Sequence, residues 1–379
     1  MVISFHSVDL SGASPTVHRV FAFGWMGVDL FFVLSGFLIG LQVLKPRVES
    51  GPRFLESFWT KRWLRTLPLY YVVLFTCAVI KPALFHVPFK GSVLQFATFT
   101  QNYGAPRDFV ASWSLCVEEQ FYLVLPLVIV ALPARALPKW GWLLPLAASV
   151  ATRALVWRTT PAPEFHFEDQ IHWPTHTHLD GLSIGLFLAA TEPGWRAWNR
   201  QRRMAAIAAG LLLWLVTCVV LGPSAGRNVW TALLVYPLIS VAFGLLLVGA
   251  RGLVLPRILY RGVERIALWS YGAYLWHGLV VRLVDRSAER PGSWLTQAAC
   301  FVGVTFALAC MTYYLIERPA LVMRDRLLVA RANRVRPATM PMPESQTRKV
   351  HRRRLRPLVP RPRERDQFTR RAGPIDRLE

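Results

Sequence analysis

Apolar runs of close to twenty residues recur along the chain, separated by short segments rich in Arg, Lys and Pro. A helix of that length crosses the ~30 Å hydrocarbon layer of a bilayer. Full spans are read at 24–44, 67–85, 116–132, 140–157, 203–221, 229–250, 268–284 and 295–316, with a shorter one at 179–190. The stretch 93–103 is only half apolar and too short for a span. Residues 1–7, MVISFHS, read as the second half of an apolar helix whose first half would precede Met1. The pattern therefore predicts an all-α, polytopic membrane bundle of about ten transmembrane helices, the first truncated at its N-terminus. It occupies residues 1–319, and residues 320–379 form a tail.

Polar residues inside these runs are the informative exceptions, because an ionisable group at the middle of a membrane helix costs ~2.5–3.5 kcal/mol unless it is paired or wetted. The run WSLCVEEQFYLVLP carries Glu118 and Glu119 side by side. Consecutive helical residues point about 100° apart, so the two carboxylates are expected to meet different partners, in a buried polar site or at the membrane interface. Asp29 lies near the start of the second helix, where Gly36 and Gly40 form a GxxxG that permits close helix approach. Asp180 opens the short run, and His277 falls inside an apolar span, as a satisfied bundle histidine or as part of a polar site. His6 ends the first apolar stub. A neutral imidazole is a natural general base for a hydroxyl, although a histidine at a helix end also suits the interface. Arg62 and Arg65, three apart, share a helix face and suit either bidentate phosphate binding or a plain cytoplasmic cation cluster. Glu317-Arg318-Pro319 reads as a cap that terminates the last span.

Composition agrees with the membrane reading: 53% of residues are hydrophobic and fifteen are Trp. The five cysteines, Cys77, Cys116, Cys218, Cys300 and Cys310, are scattered through apolar runs without CxxC spacing and read as packing residues. The 159–178 segment is polar and rich in His. His176 and His178 alternate on it, but neither Cys nor HExxH accompanies them, so no metal is expected. The net charge of +22 is uneven, with +12 of it in the Pro-rich stretch 318–379. That tail is read as disordered and attracted to anionic lipid rather than to nucleic acid. Alternate loops holding Lys45, Arg47, Arg53, Lys61, Arg62 and Arg65, then Arg196, Arg200, Arg202 and Arg203, then Arg251, Arg257, Arg261 and Arg265, share a side with the tail. The positive-inside rule puts that side in the cytoplasm of a cell-membrane protein. The segment 159–178 is then outside, and His6 lies toward the outer half of the membrane.

Several stretches carry a family resemblance: VISFHS at 2–7, GVDLFFVLSGFLIG at 27–40, FWTKRWLRTLPLYY at 58–71, WSLCVEEQFYLVLPL at 113–127, LDGLSIGLFLA at 179–189, YGAYLWH at 271–277 and IERP at 316–319. In these the chain resembles the acyltransferase 3 family of integral membrane acyltransferases. The resemblance implies a ten-helix bundle that moves an acyl group, often acetyl, from cytoplasmic acyl-CoA to a hydroxyl of a glycan, an exported polysaccharide precursor or a glycosylated metabolite. It implies that His6 takes the hydroxyl proton or relays the acyl group. Glu118 or Glu119 would hold His6 or a substrate hydroxyl, and Arg62 and Arg65 would bind the CoA phosphates. Asp29, Ser35, Trp113, Asp180 and His277 would complete a polar core. In the family the first helix carries an Arg ten residues before the His, a position that here precedes Met1. The Asp180 motif usually has Arg two residues earlier, where this chain has His178. A transporter or flippase with a polar path for a lipid-linked or small solute, and an inactive truncated family member, are the competing readings. Binding of acyl-CoA separates the enzyme from the transporter.

Overall fold

The computed structural model describes residues 1–10, 13–44, 52–104, 108–131, 138–161, 165–221, 228–253, 256–287 and 293–335. Among the described residues every regular element is helical. In chain order the α-helices are α1 (Val2–His6), α2 (Pro15–Phe21), α3 (Gly27–Val43), α4 (Pro52–Phe75), α5 (Lys81–Phe85), α6 (Val93–Ala97), α7 (Ser112–Ala131), α8 (Leu144–Thr159), α9 (Asp180–Arg196), α10 (Arg200–Leu221), α11 (Val229–Ala250), α12 (Arg257–Ser287), α13 (Trp294–Thr312) and α14 (Arg318–Val335). Met1–Arg326 forms one compact unit. The chain from Leu327 is a separate unit, whose described part is the end of α14. The basic loop at 45–51 and the tail beyond residue 335 lie outside the described residues.

Six helical segments are long and apolar enough to cross a membrane: Pro15–Val43, Phe54–Phe85, Ser112–Ala131, Arg200–Val220, Val229–Ala250 and Trp294–Arg331. Three runs read as spans from the sequence fall outside this set. They form α8, α9 and the second half of α12, and they are lined with bundle contacts. In α12, Ala273, Leu275, Trp276, His277, Val280 and Val281 are buried. By contrast α10 leaves Leu212 and Val219 exposed, as a lipid-facing helix must when hydrocarbon replaces water.

One expectation about a boundary is corrected. The last span does not stop at Glu317. A π-helical turn over Tyr313–Glu317 passes directly into α14. Pro319 lacks an N–H, and a wider turn just before it absorbs the missing donor. The polar 159–178 segment, which the charge pattern puts outside, is partly buried against the bundle. It folds back through a π turn at Glu168–His172 and a 3-10 turn at Thr175–Thr177, and Ile171, Thr177 and His178 are fully buried.

The α3–α9 pair is the closest seam in the bundle and sets where the buried polar residues meet. Gly36 on α3 packs against Leu182 and Gly185 of α9, Gly40 against Ala189 and Leu186, and Gly181 of α9 against Phe32 and Asp29 of α3. A Cβ at Gly36 would collide with the carbonyl of Leu182, and one at Gly185 with the carbonyl of Val33. Only glycine lets these backbones approach so closely, which is what a small-residue pattern supplies where water cannot drive association.

Candidate functional site

The seam places the N-terminus of α9 against the first turn of α3. There His178 Nε2 lies 3.0 Å from Asp29 Oδ1, and His178 Nδ1 lies 2.6 Å from the carbonyl oxygen of His172. A carbonyl only accepts, so Nδ1 carries a proton. Directly after His178, Asp180 receives two hydrogen bonds from Arg153 on α8, at 2.7 and 2.9 Å, and all four side chains of these two pairs are fully buried. The guanidinium also donates to the carbonyl of Thr177 and sits 5.2 Å from the ring centroid of Tyr236 on α11. The Tyr236 hydroxyl meets His172 Nδ1 at 2.7 Å. Trp113 packs over both histidines, with ring centroids 4.5 Å from His172 and 5.3 Å from His178. Five elements are thus tied by one polar network. Its bidentate Arg–carboxylate pair is the geometry that best offsets the desolvation of two ions.

The glutamate pair lies on α7 with both residues buried. As their angular separation requires, the partners differ. Tyr122, one turn on, donates to Glu118 at 2.8 Å and shares a 2.6 Å hydrogen bond with Ser35 of α3. Thr66 of α4 donates to Glu119 at 2.6 Å. Arg62 lies inward on α4, its guanidinium 5.5 Å from the Tyr122 ring and 5.9 Å from the Phe58 ring. Its Nε has no hydrogen-bonding partner among the described residues. Arg65 is exposed, so the two arginines do not share one environment. Tyr271 of α12 ties the same region together by donating to the Thr66 carbonyl at 2.7 Å.

His6 ends α1 and faces α12, its ring centroid 4.8 Å from that of His277. His277 is buried, and its Nδ1 bonds the carbonyl of Tyr274 one turn earlier. That fixes the proton on Nδ1 and leaves Nε2 as the basic nitrogen. The Tyr274 hydroxyl in turn meets Ser114 of α7 at 2.6 Å. His6 lines a cavity of 310 Å³ together with Cys77, Phe109, Leu275, Gly278 and Leu279, and with Asp108, Arg282 and Asp285. Asp108 is held by Lys81 at 2.8 Å, by Arg282 at 3.2 Å and by the backbone N–H of Lys90. Burial alone would raise its carboxyl. The hydrogen bonds from Lys81 and Lys90, with the charges of Lys81 and Arg282, hold it below the usual carboxylate range instead.

The residues expected to form one polar core therefore fall into three neighbouring groups. Asp29, Trp113 and Asp180 belong to the α3–α9 network. Ser35, Glu118, Glu119 and Arg62 belong to the α3–α4–α7 group. His6 and His277 belong to the cavity. His178 cannot pair with His176 around an ion, because both of its ring nitrogens are turned to protein partners. His176 stacks on Tyr103, and burial lowers the basicity of its imidazole. No group of three or more metal-ligating side chains is found among the described residues. The sequence reading missed Arg153, Tyr122 and Tyr236. Tyr122 had a signal, four residues after Glu118 on the same helix face. So did Arg153, an ionisable residue inside an apolar run.

The sequence profile of a family described as an acyltransferase domain matches residues 1–314. Peptidoglycan O-acetyltransferase OatA of Listeria monocytogenes is 27% identical over 332 residues, covering 78% of this chain and 51% of the relative. The putative peptidoglycan O-acetyltransferase YrhL of Bacillus subtilis is 25% identical over 324 residues, covering 78% and 50%. A putative O-acetyltransferase of Staphylococcus aureus is 28% identical over 193 residues, covering 46% and 32%. The chain spans about half the length of the first two of these curated relatives, and less of the third. No solved structure matches it significantly.

Proposed function

The chain belongs to the acyltransferase 3 family, and from that membership we propose that it transfers an acetyl group from cytoplasmic acyl-CoA to a hydroxyl of a glycan. The named relatives act on peptidoglycan or are assigned to it, and that polymer is the first acceptor to test. Other exported polysaccharide precursors and glycosylated metabolites are the wider class. The bundle has about ten transmembrane helices in this reading: the six apolar segments cross the cell membrane together with α8, α9 and α12, and the five-residue α1 supplies only part of a further one. The tail is cytoplasmic, and its Lys and Arg residues are drawn to anionic lipid at ~1 kcal/mol each near the surface.

The observation that carries the reading is His6 on the wall of a ligand-sized cavity, beside a second histidine whose proton is fixed on Nδ1. His6 takes the proton of the acceptor hydroxyl as its oxygen attacks the thioester carbonyl; the tetrahedral intermediate then collapses with cleavage of the C–S bond, and the proton held by His6 is returned to the departing CoA sulfur, leaving the ester and free CoA. His277 orients the His6 ring and shares the charge that develops there. Glu118 and Glu119, each held by a hydroxyl, are acceptors for a substrate hydroxyl or for an imidazole N–H, and Asp29, Ser35, Trp113 and Asp180 keep α3, α7 and α9 in register around them. The donor fits the opposite end of α4. Arg65 and Lys61 are exposed there, and the Arg62 Nε lacks a partner among the described residues, so cations are available for the CoA phosphates.

The test uses the purified full chain in lipid nanodiscs, radiolabelled acetyl-CoA and peptidoglycan fragments. General-base assistance contributes ~10²–10⁴-fold, so His6→Ala lowers acetyl transfer by that factor without changing thermal stability. Equal product from the variant removes His6 from the chemistry, and failure of acetyl-CoA to bind the wild-type chain favours the transporter reading.

A further inference from the structure

One face of α12 forms the long wall of the cavity. Leu275, Gly278, Leu279, Arg282 and Asp285 all line it, at spacings of three, four and seven residues that stack on a single helical face. The chemistry along that face is graded. Its inner end is apolar, with Leu275 and Leu279 opposite Phe109 and beside His6. Its outer end presents a cation and an anion, Arg282 and Asp285, whose side chains are both exposed. The floor is open at Gly278, where an added Cβ meets nothing within 4 Å. This glycine is not there for helix packing, unlike Gly36 and Gly185. Arg282 is not a loose surface cation either, because Asp108, fixed by Lys81 and the Lys90 N–H, anchors its guanidinium at 3.2 Å.

We propose that this cavity is an acceptor subsite for a single pyranose ring of a glycan, with Arg282 and Asp285 as its specificity-determining residues. The inference rests on the acetyl-transfer reading for its role and on the cavity itself for its ligand class. A volume of 310 Å³ is at the small end of the ~300–1,000 Å³ range of ligand pockets, enough for one ring and too little for a lipid tail or a stretch of polymer. A sugar ring has an apolar face and a rim of hydroxyls that both donate and accept. The walls match the face, the anchored guanidinium supplies donors, and the Asp285 carboxylate supplies an acceptor. A ring held by its rim at Arg282 and Asp285 lies along α12 with its far edge toward His6. The hydroxyl that is acylated is therefore one on the edge opposite the anchored pair.

Binding and transfer are measured separately on the full chain in nanodiscs, with the N-acetylglucosamine–N-acetylmuramic acid disaccharide as probe. Saturation-transfer NMR reports binding without requiring turnover. The expected result is that wild type binds the disaccharide, that Arg282→Gln and Asp285→Asn each weaken binding about tenfold, and that Gly278→Phe abolishes it. Acetyl-CoA binding and the melting temperature stay at wild-type values. In transfer assays Arg282→Gln and Asp285→Asn raise the KM for the disaccharide with kcat little changed, a split that a merely structural role would not give. If Gly278→Phe does not fold, Gly278→Leu and the two polar variants carry the test. Sugar binding that survives in all these variants overturns the subsite even if the chain is an active acetyltransferase. Sugar binding lost in the variants but present in a wild type that transfers nothing keeps the subsite and overturns the transfer reading.

Discussion

At the α3–α9 seam Asp180 takes two hydrogen bonds from Arg153 and Asp29 shares one with His178, all inside fully buried surroundings. Beside α4, α7 and α12 the treatment differs. Glu118 and Glu119 each accept a hydroxyl hydrogen bond, and His6 lines a cavity. Both regions bury ionisable groups in one bundle, but in the first they are set in ion pairs, whereas Glu118 and Glu119 are met by hydroxyls and beside the cavity Asp108 pairs with Lys81 and Arg282. A closed network resists rearrangement, because any movement exposes an unpaired charge to low dielectric. A region of hydroxyl hydrogen bonds beside a cavity can exchange a protein partner for a substrate at little cost. The difference separates the frame from the place where chemistry has room to occur.

The sharpest way to break this contrast is to open the closed side. Arg153→Met leaves the Asp180 carboxylate buried and alone, and should cost ~3–5 kcal/mol, read as a collapse in folded yield and melting temperature. Arg153→Met combined with Asp180→Leu should recover most of the loss, since removing both ions leaves no orphan. If the single variant melts like wild type, the network is not the frame. On the open side, Glu118→Gln and Glu119→Gln remove charge but keep shape and hydrogen bonding. Each should leave stability within about 1 kcal/mol, as neutral–neutral hydrogen bonds replace charged ones, while transfer falls at least tenfold. Loss of fold in either glutamine variant would erase the distinction between the regions. Gly36→Ala and Gly185→Ala push a methyl into backbone at the seam and should cost ~1–3 kcal/mol each as overpacking, measured by thermal unfolding in nanodiscs. The smallest effect concerns Asp108, whose carboxyl is held low by its partners. Its contribution is present above the unfolded carboxylate pKa of ~3.9 and is lost as pH falls through the lower folded value. Asp108→Asn should therefore lower the melting temperature at pH 7, and the gap to wild type should close under acid conditions.

Much of the frame was legible in the sequence because hydrocarbon imposes a simple rule. Run length announced the helices, and the GxxxG on α3 does mark the closest helix contact. The divergence of Glu118 and Glu119 also followed from helical geometry, and Tyr122 and Thr66 now give each its own partner. What the sequence hid is pairing across distance. Arg153 and Asp180 are 27 residues apart, and His172 and Tyr236 are 64 apart. No local periodicity joins them. His178 looked like a weakening of the Asp180 motif. The cation that Asp180 needs comes instead from α8, which frees His178 to bridge Asp29. The 159–178 segment shows a related limit: its polarity in part serves a buried network, and composition alone does not distinguish that from contact with water.

The hydrogen bonds at the seam also fix its electrical character. His178 Nδ1 donates to a carbonyl, so the contact between Nε2 and Asp29 holds one proton, on the ring or on the carboxyl. Either placement leaves that pair neutral, as Arg153 and Asp180 are together. A lone elementary charge carried across the bilayer works against the membrane voltage at ~2.3 kcal/mol per 100 mV. The Asp29–His178 and Arg153–Asp180 pairs carry no net charge, so moving either pair as a unit along a bilayer normal would do no such work.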